Sequence, residues 1–423
     1  MARILLLVHR MPYPPDKGDK VRSYHLLQHL AARHEVHLGT FIDDPADEAH
    51  LPALRPLCAS VHAERLHPRR ARLASLAGLL TGDALTLHYY RSGTMRRWVA
   101  QTVREQRPQA AVVFSSSMAP YAHAHPQLPL LLDMVDVDSA KWAAYAPRHR
   151  WPLSWIYRRE GVALLRAERA SARASRRCFL AAETEADLFR QLAPECADRV
   201  EAMTNGVDTV YFRPDGQHAS PFRPDELPLV FTGAMDYWPN VDAVTWFAAA
   251  VLPALRQRHP SLRFHIVGRA PTAAVQALAA DASAGVVVTG TVPDVRPYLQ
   301  HAAAVVAPLR LARGIQNKVL EAMAMARPVV AATPCVQALT AEVGREVLGA
   351  ATADEYLACL DRLLRAPAQA AAIGRAGRQR VLASYGWSGH LAALDRHLST
   401  EASGSAPGLD PALALTLNRN PAA

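Results

Sequence analysis

Short apolar runs alternate with amphipathic stretches along most of the chain. The runs at Arg3 to Val8, Glu35 to Phe41, Ala110 to Phe114, Leu130 to Asp133 and Cys178 to Ala182 predict buried strands, with helical sequence between them at Val21 to Arg33 and Met95 to Gln106. A second set begins at Leu229 to Thr232 and continues with Arg263 to Val267, Val286 to Thr289, Val305 to Ala307 and Val329 to Ala331. Two α/β units of the doubly wound type follow from this order. Between Asn205 and Pro228 the chain is rich in Pro, Gly and Asp and loses its periodicity, which sets a boundary between a first domain over 1–205 and a second over 206–385. One helix is expected from about Gly374 to Ser399, through Tyr385-Gly386-Trp387. The remainder over 400–423 has no sustained pattern and is expected to be a disordered tail.

Composition narrows the setting. The chain has 423 residues, half of them apolar, enough for two ordinary cores. Its five cysteines are scattered without a CxxC pair, so neither a disulfide framework nor a zinc site is suggested. The apolar run Ile4 to Val8 stops at His9-Arg10, too short for a signal peptide core, and no other run approaches the roughly 18 residues of a membrane span. The expected location is a reducing cytoplasm, in solution or at the inner face of the membrane. Arginine is concentrated in two places: nine Arg against two acids from Arg65 to Arg107, and nine against two from Arg148 to Arg177. An anionic lipid surface would attract these segments, and ordinary solvated helices account for them equally well. Nucleic acid would also attract them, but no recognition motif accompanies them.

Candidate chemistry centres on Gly290 to Thr333. There an apolar run ends in a loop with Arg310, Arg313 and Gly314, and a helix starting near Ile315 carries Lys318 and Glu321 on one face. A helix start attracts phosphate, a lysine beside it neutralises a diphosphate, and a carboxylate accepts hydrogen bonds from a ribose diol. A plain solvated ion pair has the same spacing. In the first domain, the loop Pro12-Tyr13-Pro14-Pro15-Asp16-Lys17-Gly18 follows the first strand, where ligands bind in such sheets. Lys17 and Lys20 there would either meet phosphate charge or stay solvated. Asp133, Asp136 and Asp138 follow another strand. A metal is the weaker reading, since the nucleotide-type signature lies in the other half. Asp136 as a base or hydrogen-bond acceptor for sugar hydroxyls is the stronger, with Asp138 and Ser139 as helix caps.

Asn317-Lys318, Leu320-Glu321-Ala322-Met323-Ala324 and Pro328-Val329-Val330 resemble the signature of family 4 (GT4) retaining glycosyltransferases. The resemblance implies a GT-B fold, two Rossmann-like domains facing a central cleft, with the last helix (386–399) crossing back to the first domain. It implies a donor site formed by Gly18, Gly233, Arg313, Gly314, Asn317, Lys318 and Glu321, an acceptor side formed by Lys17, Arg22 and Asp133, and Asp136 and Lys318 at the reacting centre. The substrates implied are a nucleotide-sugar donor and a glycan or lipid-linked acceptor, with no cofactor or metal. Two departures stand out. Arg313 occupies the position of a usual Glu, and Tyr237, Trp238 and Asn240 stand where many members carry Arg and Lys, leaving Lys318, the helix amides and Arg310 or Arg313 for the diphosphate. PYPPDKGDKVRSYHLL, DVDSAKW, GAMDYWPNVDAVTWF and GIQNKVLEAMAMARPVV further resemble an exopolysaccharide subgroup associated with PEP-CTERM/exosortase systems. A nucleotide-sugar epimerase and a noncatalytic nucleotide-sugar scaffold remain alternatives. A nicotinamide dehydrogenase would need GxGxxG after the first strand, which the chain lacks.

Overall fold

The computed structural model describes residues 1–15, 18–310 and 314–399; Lys17, Arg313 and the tail from 400 lie outside the described residues. The first sheet contains β1 (Arg3–Val8), β2 (Glu35–Ile42), β3 (Ser60–Arg65), β4 (Ala110–Phe114), β5 (Leu130–Val135), β6 (Arg177–Leu180) and β7 (Val200–Ala202), in the order β3-β2-β1-β4-β5-β6-β7. The second contains β8 (Leu227–Thr232), β9 (Leu262–Val267), β10 (Val286–Gly290), β11 (Ala304–Ala307), β12 (Val329–Ala332) and β13 (Leu348–Ala350), ordered β10-β9-β8-β11-β12-β13. Neighbouring strands run parallel throughout both sheets.

Parallel sheets bury both faces, so their central strands read as unbroken apolar runs. β1 does so, with Ile4 to Val8 fully buried between β2 and β4. The strand order reverses between β1 and β4 and again between β8 and β11, opening a crevice at the carboxyl ends of each pair. Three edge or near-edge strands were not predicted. β3 carries Ser, His, Glu and Arg on a half-buried edge, and β7 and β13 have only three residues each, so none presents a run long or apolar enough to recognise.

The single terminal helix expected over 374–399 is two helices, Pro367–Ser384 and Trp387–Ser399. The chain breaks at Tyr385-Gly386, where Val207 N–H donates to the Tyr385 carbonyl at 2.8 Å and Val207 bridges to Gly386. The second helix leaves its own domain and packs Trp387, Leu391, Leu394 and Leu398 into the core that contains Ile4, Leu6 and Leu27. His29 lies 2.9 Å from Asp395 across that contact. Both connections between the domains therefore lie side by side at 203–207 and 385–387.

Candidate active site

The helix Asn317–Ala324 turns Val319, Leu320, Ala322 and Met323 into the second core and leaves Asn317, Lys318 and Glu321 half-buried on the opposite face. It begins two residues later than expected, and Gln316 at its N-cap makes no side-chain capping hydrogen bond, its Nε2 donating instead to the Gly314 carbonyl at 3.4 Å. Val319 N–H turns back to the Gln316 carbonyl at 2.9 Å, and the amides of Asn317 and Lys318 have no partner among the described residues, open to water or a ligand. Lys318 Nζ donates to Asn240 Oδ1 at 2.7 Å and sits 4.1 Å from the centre of the Phe231 ring. Asn240 in turn donates to the Ala234 carbonyl at 2.8 Å. Glu321 has no hydrogen-bond partner among the described residues, and burial pushes its carboxyl up to about 7 against the pull of Lys318. Burial likewise pushes the Lys318 ammonium down to about 7, opposed by Cys335 and Glu321. A cation and an acid poised near neutrality beside uncapped amides can take on an anion's charge without large desolvation cost.

Gly233 and Gly268 form the floor beside this helix. Both adopt a φ of 154°. A β-carbon at Gly233 would lie 2.8 Å from Lys318 Nζ, and one at Gly268 would lie 1.7 Å from the Gly233 carbonyl oxygen. The turns after β8 and β9 interlock through Gly233 N–H donating to the Val267 carbonyl at 3.0 Å. Side chains are excluded here because the backbones and the lysine head occupy their space.

Among the described residues, the first domain meets this site around Gly18, Ala182 and Tyr145. Gly18, at the start of helix Gly18–Ala31, faces Asn317, whose Nδ2 would lie 3.8 Å from a β-carbon there. Gly314, with a φ of 62°, similarly faces Ala182 at the end of β6, 3.6 Å from an added β-carbon. Tyr145 packs edge-on against Trp238 at 6.1 Å. Trp238 thus bridges the cleft, and Asn240 orients Lys318.

Arg22 and Asp133, expected to meet an acceptor, are each only 1% exposed and are paired with one another. Arg22 Nε and Nη2 reach the two Asp133 oxygens at 2.7 and 3.0 Å, and Nη1 donates to Asn205 at 2.9 Å. This corrects the acceptor-side expectation: their charges are spent inside the protein, tying β5 to the inter-domain connection. Lys20 is neither solvated nor facing the cleft, since its Nζ is buried 2.7 Å from Asp47. Arg310, considered for the diphosphate, pairs instead with Asp242 at 2.7 Å.

Asp136 stays half-buried and accepts from Lys141 Nζ at 2.6 Å, while Asp138 accepts from the same ammonium at 3.1 Å. Asp138 lies inside the helix Asp138–Tyr145 rather than capping it. The three aspartates thus divide between two cations, and among the described residues no group of three His, Cys, Asp or Glu is arranged to hold a metal ion. The Asp136 loop is braced from below. Glu185 accepts from Val137 N–H at 2.9 Å and Glu168 from Ser139 N–H at 3.0 Å, burial pushing Glu168 up to about 8. Val135, immediately before Asp136, has a φ of 68°, a costly conformation for a β-branched residue.

One cluster beside the cleft had not been anticipated. At the end of β1, Arg10 binds Asp43 at 2.6 Å and Asp19 at 2.8 Å, and His9 lies 3.5 Å from Asp19 and stacks on Phe114. Burial opposes ionisation of Asp19, yet His9 and Arg10 hold its carboxyl well below the usual carboxylate range. The only sequence signal was a His-Arg pair directly ending an apolar strand.

Residues 226–366 match the family model described as Glycosyl transferases group 1. No curated protein sequence matches the chain. Among solved structures, the chain is similar to sucrose-phosphate synthase from Thermosynechococcus elongatus, at 17% identity and a TM-score of 0.69 over 96% of this chain and 100% of that one. It is similar to Anabaena HepE in complex with UDP, at 14% identity and a TM-score of 0.64 over 95% and 100% of the two chains. WaaG, a glycosyltransferase involved in lipopolysaccharide biosynthesis, aligns at 15% identity and a TM-score of 0.61 over 93% and 98%. The chain therefore takes the two-domain GT-B fold, and residues 226–366, within its second domain, match Glycosyl transferases group 1.

Proposed function

We propose that the protein is a retaining glycosyltransferase that moves a sugar from a nucleoside-diphosphate sugar to a polysaccharide or lipid-linked glycan, in exopolysaccharide assembly at the cytoplasmic face of a membrane. The observation that carries this reading is the half-buried Lys318–Glu321 pair beside an uncapped helix start, directly opposite Gly18 of the other domain. The diphosphate sits against Lys318 and the first amides of Asn317–Ala324, and the ribose diol donates to Glu321. Gly233 lets the phosphates approach the backbone.

Bond cleavage at the anomeric carbon leaves a nucleoside diphosphate whose growing charge falls on Lys318 and the helix end, an electrostatic rather than covalent form of catalysis. Asp136, held by Lys141, orients hydroxyls on the first-domain side. Cleft closure excludes water and limits hydrolysis of the donor. Anabaena HepE was crystallised with UDP and with UDP-glucose, which supports testing uridine nucleotides first.

The test has two steps. Thermal shift against UDP, GDP, ADP and dTDP and their sugar conjugates selects the base. Release of that nucleotide from its sugar conjugate is then followed with and without a membrane-extracted glycan fraction. Acceptor-dependent release supports transfer; tight binding with no release under any acceptor supports a noncatalytic scaffold instead.

A further inference from the structure

Six of the fourteen large hydrophobic side chains exposed among the described residues lie in two segments of the first domain. One is the helix Pro68–Ser75 with the short helix Gly78–Thr81 after it, where Leu73, Leu76 and Leu80 are 71, 47 and 93% exposed. The other is the entry to the helix Leu153–Ala174, where Trp151, Leu153 and Trp155 are 81, 46 and 53% exposed. So much large apolar surface, concentrated in one place, marks an interaction site.

The two segments are clasped together. Arg159, one turn after Trp155, donates to the carbonyls of Gly78 and Asp83, the latter at 2.9 Å. Its neighbour Glu160 accepts from Leu85 and Thr86 N–H at 2.7 and 2.9 Å. The segments that carry the leucines and the tryptophans therefore adjoin one another.

Charge identifies what covers that face. Positions 67–82 and 148–159 contain no acidic residue. Arg69, Arg70, Arg72, Arg150 and Arg158 are exposed and form no ion pair among the described residues. A second copy of the chain would set like charges against each other. Nucleic acid would satisfy the arginines but make no use of Leu73, Leu76 and Leu80. A bilayer with anionic headgroups satisfies both: leucines enter the acyl boundary, indoles sit at headgroup level, and arginines meet the lipid phosphates. No helix among the described residues is long and apolar enough to cross a membrane, so such attachment would be to one leaflet.

We infer that the face formed by residues 68–81 and 150–158 docks the protein on an anionic lipid bilayer and thereby presents the first domain to a lipid-linked acceptor. A groove of about 230 Å³ runs beside it, lined by Asp83, Leu87 and His88 next to the docking face and by Tyr90 and Ser117 on the side of β1 and β4. Tyr90 packs edge-on to His9, at the carboxyl end of β1, with centroids 5.5 Å apart. An acceptor headgroup at the lipid surface would thus lie close to the cleft. The role given to the acceptor rests on the proposed transferase function; the docking itself does not.

The experiment is vesicle flotation of the full chain with phosphatidylcholine alone and with phosphatidylcholine containing phosphatidylglycerol. Wild type should float with the anionic vesicles, and added salt should weaken but not abolish the association. The variant Leu80→Asp/Trp151→Asp, altered only at exposed positions, should lose at least about tenfold in vesicle partition while keeping its melting temperature and its nucleotide-induced thermal shift. Leu382→Asp, an exposed leucine of the other domain, should float like wild type. Failure of wild type to float with anionic vesicles, or flotation of the double variant equal to wild type, overturns the docking face. Either result leaves nucleotide binding standing, whereas vesicle binding without any nucleotide response would sink the proposed function and leave the docking face intact.

Discussion

Replacing Lys318 with Met isolates the charge at the proposed diphosphate site. The methionine keeps the unbranched stem over Phe231 and removes the ammonium that lies 2.7 Å from Asn240. A charge-assisted hydrogen bond contributes about 1.5–3 kcal/mol, so nucleoside diphosphate affinity should fall about 10- to 150-fold. The parent nucleoside, which carries no phosphate, should bind equally well to both proteins. The proton inventory adds a second signature. In the free site burial holds Lys318 down to about 7, so above that pH the ammonium must be formed before it can meet a phosphate. Wild-type affinity should then decline with rising pH, by up to about tenfold per unit, and the variant should lack that slope. Isothermal titration with diphosphate and nucleoside, from neutral to alkaline pH, reads both effects. Equal losses for nucleoside and diphosphate, or the same pH slope in the variant, would refute the assignment of Lys318 to the phosphates.

Glu321→Ala should weaken nucleotide binding by about 1–3 kcal/mol through lost ribose hydrogen bonds, whereas a 2′,3′-dideoxy nucleotide should bind wild type and variant alike; competition titration distinguishes the two. Asp136→Ala should lower turnover and leave donor affinity nearly unchanged, read from steady-state kinetics beside direct nucleotide titration; a matching loss of affinity would move Asp136 to the donor. Arg22→Ala strands Asp133 in a site where it is 1% exposed, and should cost about 3–5 kcal/mol in urea unfolding. The double variant Arg22→Ala/Asp133→Ala should recover part of that loss, and strict additivity would show that the pair is not coupled.

The central strands and the donor helix were legible because their information is local. Ile4 to Val8 is apolar throughout since both faces of β1 are covered, and Lys318 and Glu321 share a face through helical spacing alone. What escaped depends on distant partners. Arg22 and Asp133 are 111 positions apart, and Lys318 and Asn240 are 78 apart, so nothing in either neighbourhood announces the pairing. Arg22 looked like a loop cation for an acceptor because a buried ion pair and an exposed one have the same sequence. The periodicity alone did not show the break at Tyr385-Gly386, which only the last helix over 386–399 implied by the resemblance suggested: what interrupts the helix is the return of the chain beside Val207. Exposed Leu80 and Trp151 likewise needed the fold, since arginine content alone did not separate a lipid-facing surface from ordinary solvated helices.

The most direct test of the donor site is a crystal structure of the protein with the nucleoside diphosphate sugar selected by thermal shift. The diphosphate should lie against Lys318 and the first turn of Asn317–Ala324, the ribose diol on Glu321, and the sugar in the cleft between Gly18 and Asp136. Nucleotide bound elsewhere on the protein, with the face of Lys318 and Glu321 left to water, would contradict it.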